Sequence, residues 1–221
     1  MQRCELCQVA MQNCICHFRK QAKTDAAFLL LMHDAEVLKP SNTARLIADV
    51  VADTHCFLWS RTEINSQLSA LLADKKYFPV VVFPGVYAGE NQTVYENFLP
   101  DNTVADLTPL FILLDGSWRE AKKMFRKSPY LNELAILSFT GAGIEADSQQ
   151  YNRKAEVDNQ FATAQVAARS LAAMNESNAA KHLSLWFEVF NYQYQQSVCQ
   201  VNLGRADALN DYLNHVQIIQ D

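Results

Sequence analysis

The run Leu110-Phe-Ile-Leu-Leu114, followed at once by Asp115-Gly116-Ser117-Trp118-Arg119-Glu120, constrains the fold of this chain more than any other stretch. An apolar run without alternation fits a short strand buried on both faces, as at the centre of a parallel sheet. The run stops at Asp115-Gly116. Ser117 to Glu120 then has the spacing of a capping box, with Ser117 capping a helix and Glu120 reaching back to it. In that helix Trp118, Ala121, Met124 and Phe125 share one side. Arg119, Lys122, Lys123 and Arg126 recur at helical spacing and form a basic stripe.

Since Ser117 serves as the cap, Asp115 is not needed in that role. It stands at the carboxyl end of a buried strand, where open α/β sheets bind ligands, and is a candidate functional carboxylate. The neighbouring stripe suits phosphate contacts, with a solvated face as the alternative.

The rest of the chain repeats the alternation. Residues 28–33, 55–59, 77–83 and 134–139 read as further strands. Ser41 or Asn42 reads as the cap of a helix running to about Ala52, and residues 66–73 read as a second helix. Residues 86–109 read as a polar connection. Beyond Gly141-Ala-Gly143 and Arg153-Lys154 the chain turns helical, over residues 163–174, 181–198 and 206–219. The expected fold is α/β, a mostly parallel sheet flanked by helices, with a helical C-terminal part. His33, Ser60, Phe83 and Asp115 then gather on one sheet edge. There is no Gly-x-Gly-x-x-Gly after the first strand and no P-loop spacing, which disfavours dinucleotide and P-loop nucleotide sites.

With 221 residues, 49% hydrophobic and 19% charged, the composition suits one globular domain with a small appendage. We divide it into a cysteine-rich element, residues 1–24, and a main domain, residues 25–221. The net charge of −5 lies wholly after residue 127, so a polyanion would be met by local patches on the first part. No apolar run approaches the roughly 18 residues of a membrane span. No signal-peptide pattern opens the chain, so a cytoplasmic location is expected and no membrane or obligate protein partner is implied.

In that setting Cys4-Glu-Leu-Cys7 and Cys14-Ile-Cys16-His17 read as a structural zinc site rather than disulfides. His17 is an alternative ligand in place of one thiolate. A redox pair and free thiols are the other readings. Cys56 and Cys199 sit in apolar contexts and are expected in the core.

Asp115-Gly-Ser-Trp118 with Ala121-Lys-Lys-Met124 resembles the signature of the DTW-domain family, the tRNA-uridine aminocarboxypropyltransferases. Lys39-Pro-Ser-Asn-Thr-Ala-Arg45, Trp59-Ser-Arg-Thr62, Val82-Phe-Pro-Gly85, Phe125-Arg-Lys-Ser-Pro-Tyr-Leu131 and Ala162-Thr-Ala-Gln-Val-Ala167 follow in the family's order, and the resemblance covers about residues 3–190. It implies a fold like the knotted SPOUT class, with S-adenosylmethionine (SAM) as group donor and tRNA as partner. It implies Asp115 as general base or as the charge that holds SAM, and Trp118 beside it. Asn42, Thr43, Phe83, Pro84, Gly85, Leu114, Gly116, Ser117 and Thr163 would then line the cofactor site. Arg45, Arg119, Lys122, Lys123 and Arg126 would contact RNA. The alternatives are a SPOUT-type RNA methyltransferase and a non-catalytic, zinc-stabilised RNA-binding module. The chain departs from the family pattern at Ser117, where Thr is usual, at Gln165, where Glu is usual, and at Ala44, where Gly is usual. Ala44 implies a helical backbone at that point.

Overall fold

The computed structural model describes residues 2–100, 106–140, 161–198 and 201–219. Six strands form one sheet: β1 (Ala27–Met32), β2 (Thr54–Leu58), β3 (Tyr77–Val82), β4 (Val94–Glu96), β5 (Thr108–Asp115) and β6 (Ala135–Ser138). Every pairing is parallel, in the order β2-β1-β5-β3-β6-β4. All carboxyl ends therefore lie on one edge. The apolar run at the centre of the sequence is the central strand, flanked by β1 and β3. That position covers both of its faces, which is why it needs no polar residue from Leu110 to Leu113.

The helices are α1 (Asp34–Val37), α2 (Arg45–Val50), α3 (Ser66–Ala73), α4 (Trp118–Arg126), α5 (Thr163–Ala173), α6 (Ser177–Val198) and α7 (Ala208–Ile218). They sort onto two faces. Phe28, Leu30, Val80, Val82, Phe111 and Leu113 pack with residues of α2, α5, α6 and α7. Leu29, Leu31, Val81, Leu110 and Ile112 pack with Leu68 of α3 and with Ala121, Met124 and Phe125 of α4. Alternation along each strand divides the two sets.

Three expectations need correction. The helix after Asn42 begins only at Arg45 and ends at Val50, and no side chain caps it. Ala44 does have helical backbone, φ −58 and ψ −34. Within residues 86–109 lies the short edge strand β4. Its alternation is too brief to read, and it is set by β6: Val94, Tyr95 and Glu96 pair with Ile136, Leu137 and Ser138. Gly85 permits this packing, because a Cβ there would lie 2.9 Å from Val94 Cγ1. Finally, Cys56 is exposed, not in the core. It sits on β2, the sheet edge, where among the described residues one flank has no strand beside it. Cys199, Gly141 to Gly143, Arg153 and Lys154 lie outside the described residues. No helix among the described residues is long and apolar enough to cross a membrane.

Candidate active site at the sheet edge

Asp115 closes β5 and is 3% exposed. Its Oδ2 accepts a hydrogen bond from Asn42 Nδ2 and its Oδ1 one from the Thr163 hydroxyl, each at 2.6 Å. Both donors are neutral and orient the carboxylate from two sides. A buried carboxylate without such donors would be strongly disfavoured. The two donors are themselves braced. Asn42 Oδ1 accepts from Ala44 N at 2.7 Å, and its Nδ2 also reaches the Glu36 carbonyl at 3.1 Å. This is an Asx turn, so Asn42 is occupied by Asp115 and by its own loop rather than by a helix end. Thr43 Oγ1 accepts from Ala164 N, the first turn of α5, at 3.3 Å. Gln165 Oε1 accepts from Ala162 N at 2.9 Å, so at this position the amide caps α5 without a charge.

Arg45 donates to the carbonyls of Asn42 (3.1 Å) and Lys39 (2.8 Å). Burial outweighs the pull of Cys7, Asp49 and Asp115 and lowers its pKa. Its guanidinium is thus engaged in holding the Lys39–Asn42 loop, apart from the stripe on α4.

Trp118 lies across the sheet from this carboxylate. Asp115 has the parity of Phe111 and Leu113 and faces α5. Leu114, Phe83 and Trp118 belong to the α3/α4 face. Phe83 stacks on Phe125 (4.6 Å, 11°) and on Trp118 (5.4 Å, 26°), and Tyr87 meets Trp118 edge-on at 5.8 Å. Ser117 and Glu120 form the expected capping box. Burial pushes the Glu120 carboxyl up, but the Ser117 hydroxyl and backbone N–H outweigh it and hold it below the usual range. Ser117 is therefore committed to α4, a cap worth about 1 kcal/mol. Gly116 fits close against this box, where a Cβ would lie 3.0 Å from Glu120 Cβ.

The basic stripe is present. Lys122 Nζ lies over the Trp118 ring at 5.4 Å and Arg126 Nε donates to the Lys122 carbonyl. Among the described residues none of Arg119, Lys122, Lys123 and Arg126 pairs with a carboxylate. Lys123 Nζ lies over Trp59, 5.6 Å from the ring centroid. Trp59 follows β2 at the same edge and opens the Trp59-Ser-Arg-Thr62 segment; that segment is the sequence signal that could have marked it as a site residue.

The thiols of Cys4, Cys7, Cys14 and Cys16 all lie within 4.8 Å of one another, with Cys4–Cys16 at 3.7 Å and Cys7–Cys14 at 3.9 Å. A tetrahedral Zn–S₄ site with bonds of about 2.3 Å has sulfur separations of about 3.8 Å, so these residues fit a structural zinc ion. Among the described residues His17 is not part of this group; its ring packs on Phe18. Gln8, between the two turns of the knuckle, takes a left-handed backbone, φ 61. Cys4, Cys7, Val9 and Ile15 join the core on the α5/α6 face, and Lys20 N donates to the Tyr212 hydroxyl of α7. The cysteine element thus braces the helices that carry the Asp115 site.

The structure brings Asp115, Asn42, Thr43 and Thr163 together. It puts Phe83, Pro84, Gly85, Leu114, Ser117 and Trp118 at the same edge, on or beside the opposite face. A shallow concavity between α5 and α6, lined by Arg169, Lys181, Phe187 and Glu188, contains none of these residues. No solved structure matches the chain. Residues 1–195 match the family model described as DTW domain, and the chain belongs to the DTW-domain family.

Proposed function

We propose that the protein transfers the 3-amino-3-carboxypropyl group of SAM to N3 of a uridine in tRNA. The observation that carries this reading is the convergence of three distant segments on one buried carboxylate: Asn42, Asp115 and Thr163 meet through two 2.6 Å hydrogen bonds. A carboxylate held this rigidly at the carboxyl end of a central strand suits proton removal from the uridine imide. β5 lies between strands that lead the chain to opposite sides, which is where open α/β sheets form their ligand crevice.

In this reading Asp115 takes the N3 proton as the N3 lone pair forms the new bond to the γ-carbon of the methionyl chain. The carbon–sulfur bond breaks toward sulfur, and methylthioadenosine leaves. SAM supplies an electrophilic carbon next to a sulfonium; the protein decides by orientation which carbon is attacked. Asn42 and Thr163 fix the base. Arg119, Lys122, Lys123 and Arg126 take tRNA phosphates, which position the substrate without reading its sequence. The zinc ion that the four thiols fit would hold the scaffold in place and take no part in the transfer.

The test is incubation of unmodified tRNA with the protein and SAM, followed by mass spectrometry of nucleoside and by-product. Methylthioadenosine with an aminocarboxypropyluridine is expected. S-adenosylhomocysteine in its place would sink the proposal and identify a methyltransferase. RNA binding with neither product would leave a binding module.

A further inference from the structure

On the α4 face the sheet edge carries a second aromatic residue arranged like Trp118. Trp59 stacks on His33, with ring centroids 5.9 Å apart and planes at 24°. Its indole N–H donates to Ser128 Oγ at 2.9 Å, and Ser128 is fully buried, so the ring is pinned in orientation. Lys123 Nζ lies over the ring. Lys122 and Lys123 are neighbours on α4, so each tryptophan has its own lysine from the same helix turn. Trp59 and Trp118 are both half-buried, neither sealed in the core nor fully exposed.

The Lys123 ammonium over the ring is a weak structural contact beside the ring's stacking on His33 and its packing against the α3/α4-face core. Exposed cation–π pairs are weak, whereas a base stacked on an aromatic ring contributes more, and does so for any base because each has a π face. The ammonium is also within reach of the backbone of a nucleotide placed on the ring. Duplex RNA does not offer its base faces; unpaired nucleotides do. Charge agrees: around this ring the stripe on α4 is basic and, among the described residues, unpaired with carboxylates.

We propose that Trp59 and Lys123 form a nucleobase seat for an unpaired nucleotide of RNA. The base takes the place of the Lys123 ammonium on the Trp59 ring, and the ammonium moves to that nucleotide's phosphate. This rests on the reading of the protein as acting on tRNA, and it adds a recognition residue outside the Asp115 site. It also gives the protein a preference for loops over helical stems.

The test measures binding of a labelled single-stranded oligouridine, and of a duplex of equal length, by fluorescence anisotropy with the full chain. Trp59→Leu is expected to weaken single-strand binding about tenfold and to leave duplex binding within about twofold. Trp59→Phe keeps a ring but loses the bond to Ser128. Binding close to wild type in that variant, with loss in Trp59→Leu, identifies stacking rather than packing. Lys123→Met should lower the salt slope by about one. Unchanged single-strand affinity in Trp59→Leu, or equal losses for Leu and Phe, would overturn the seat. The by-product assay on intact tRNA separates this from the transfer reaction: methylthioadenosine formed by a Trp59→Leu protein that binds oligouridine normally removes the seat alone. A Trp59-dependent affinity without methylthioadenosine removes the transfer alone.

Discussion

Asp115 and Trp118 are neighbours in the signature motif, yet the sheet separates them. On the α5 face stands a buried carboxylate that accepts hydrogen bonds from neutral donors on two distant segments, the Asn42 loop and the start of α5. On the α4 face stands a half-exposed cluster of rings and lysines, packed around Phe83 and Trp59. The first is rigid because every side chain in it is tied to another segment. The second is layered, with flexible ammonium groups outermost. A site that must hold a proton acceptor still needs the first arrangement. A surface that must accept an RNA of variable shape needs the second. The strand's alternation turns one short motif into both, since Asp115 and Leu114 leave the sheet on opposite sides.

The comparison breaks most sharply at Asp115. Asp115→Asn should reduce transfer by at least about a hundredfold, the scale of a lost general base, with tRNA affinity unchanged. Near-normal turnover, measured by methylthioadenosine release, would take Asp115 out of the mechanism.

Metal removal comes next. Chelation, or Cys7→Ser, should lower the melting temperature and weaken SAM binding, because the knuckle packs on the α5/α6 face. Anisotropy with oligouridine should change far less. Equal losses on both faces would show that the cysteine element supports the whole fold rather than one side of it.

Thr163→Val removes one donor to a buried carboxylate. The expected cost is about 1–3 kcal/mol, with each kcal/mol lowering the melting temperature by about 2–4 °C. A melting temperature equal to wild type would mean that Thr163 does not hold Asp115 in solution.

On the other face, Lys122→Ala with Arg126→Ala should cost no stability and reduce the salt slope of tRNA binding by about two. An unaltered slope would return the stripe to a solvated surface.

The effect most remote from both faces, confined to low pH, lies deep on the α6/α7 side. Burial pulls the His182 imidazole down to about 4, helped by neighbouring His215 and opposed by the Lys20 carbonyl. The folded value lies below the unfolded one of about 6.5, so the unfolded chain binds the proton more readily. The contribution of His182 is complete above about pH 6.5 and is lost as pH falls toward 4. Thermal melts across this window should show a declining stability that His182→Gln flattens; an identical slope in the variant would rule His182 out as its source.

Much of this was legible in the chain alone. The unalternating run at Leu110 announced a strand buried on both faces, because only a central strand can do without polar residues. The Ser117–Glu120 box freed Asp115 from capping, because two residues cannot fill one cap. The four-cysteine spacing announced a metal-sized cage, because short loops between thiols leave few other geometries. Ala44 predicted a helical backbone in place of a left-handed one. Local rules sufficed in each case, since the interacting atoms lie within a few residues of one another.

The tertiary structure decided the remainder. It gave Asn42 to Asp115 instead of to a helix end, and Arg45 to its own loop. It exposed Cys56 by placing β2 at the sheet edge, and built β4 from a stretch too short to show a pattern. It also set Trp118 and Asp115 on opposite faces and brought Trp59 under Lys123. Each of these depends on which strand pairs with which, a choice made by contacts between segments tens of residues apart, and no period or spacing along the chain encodes it.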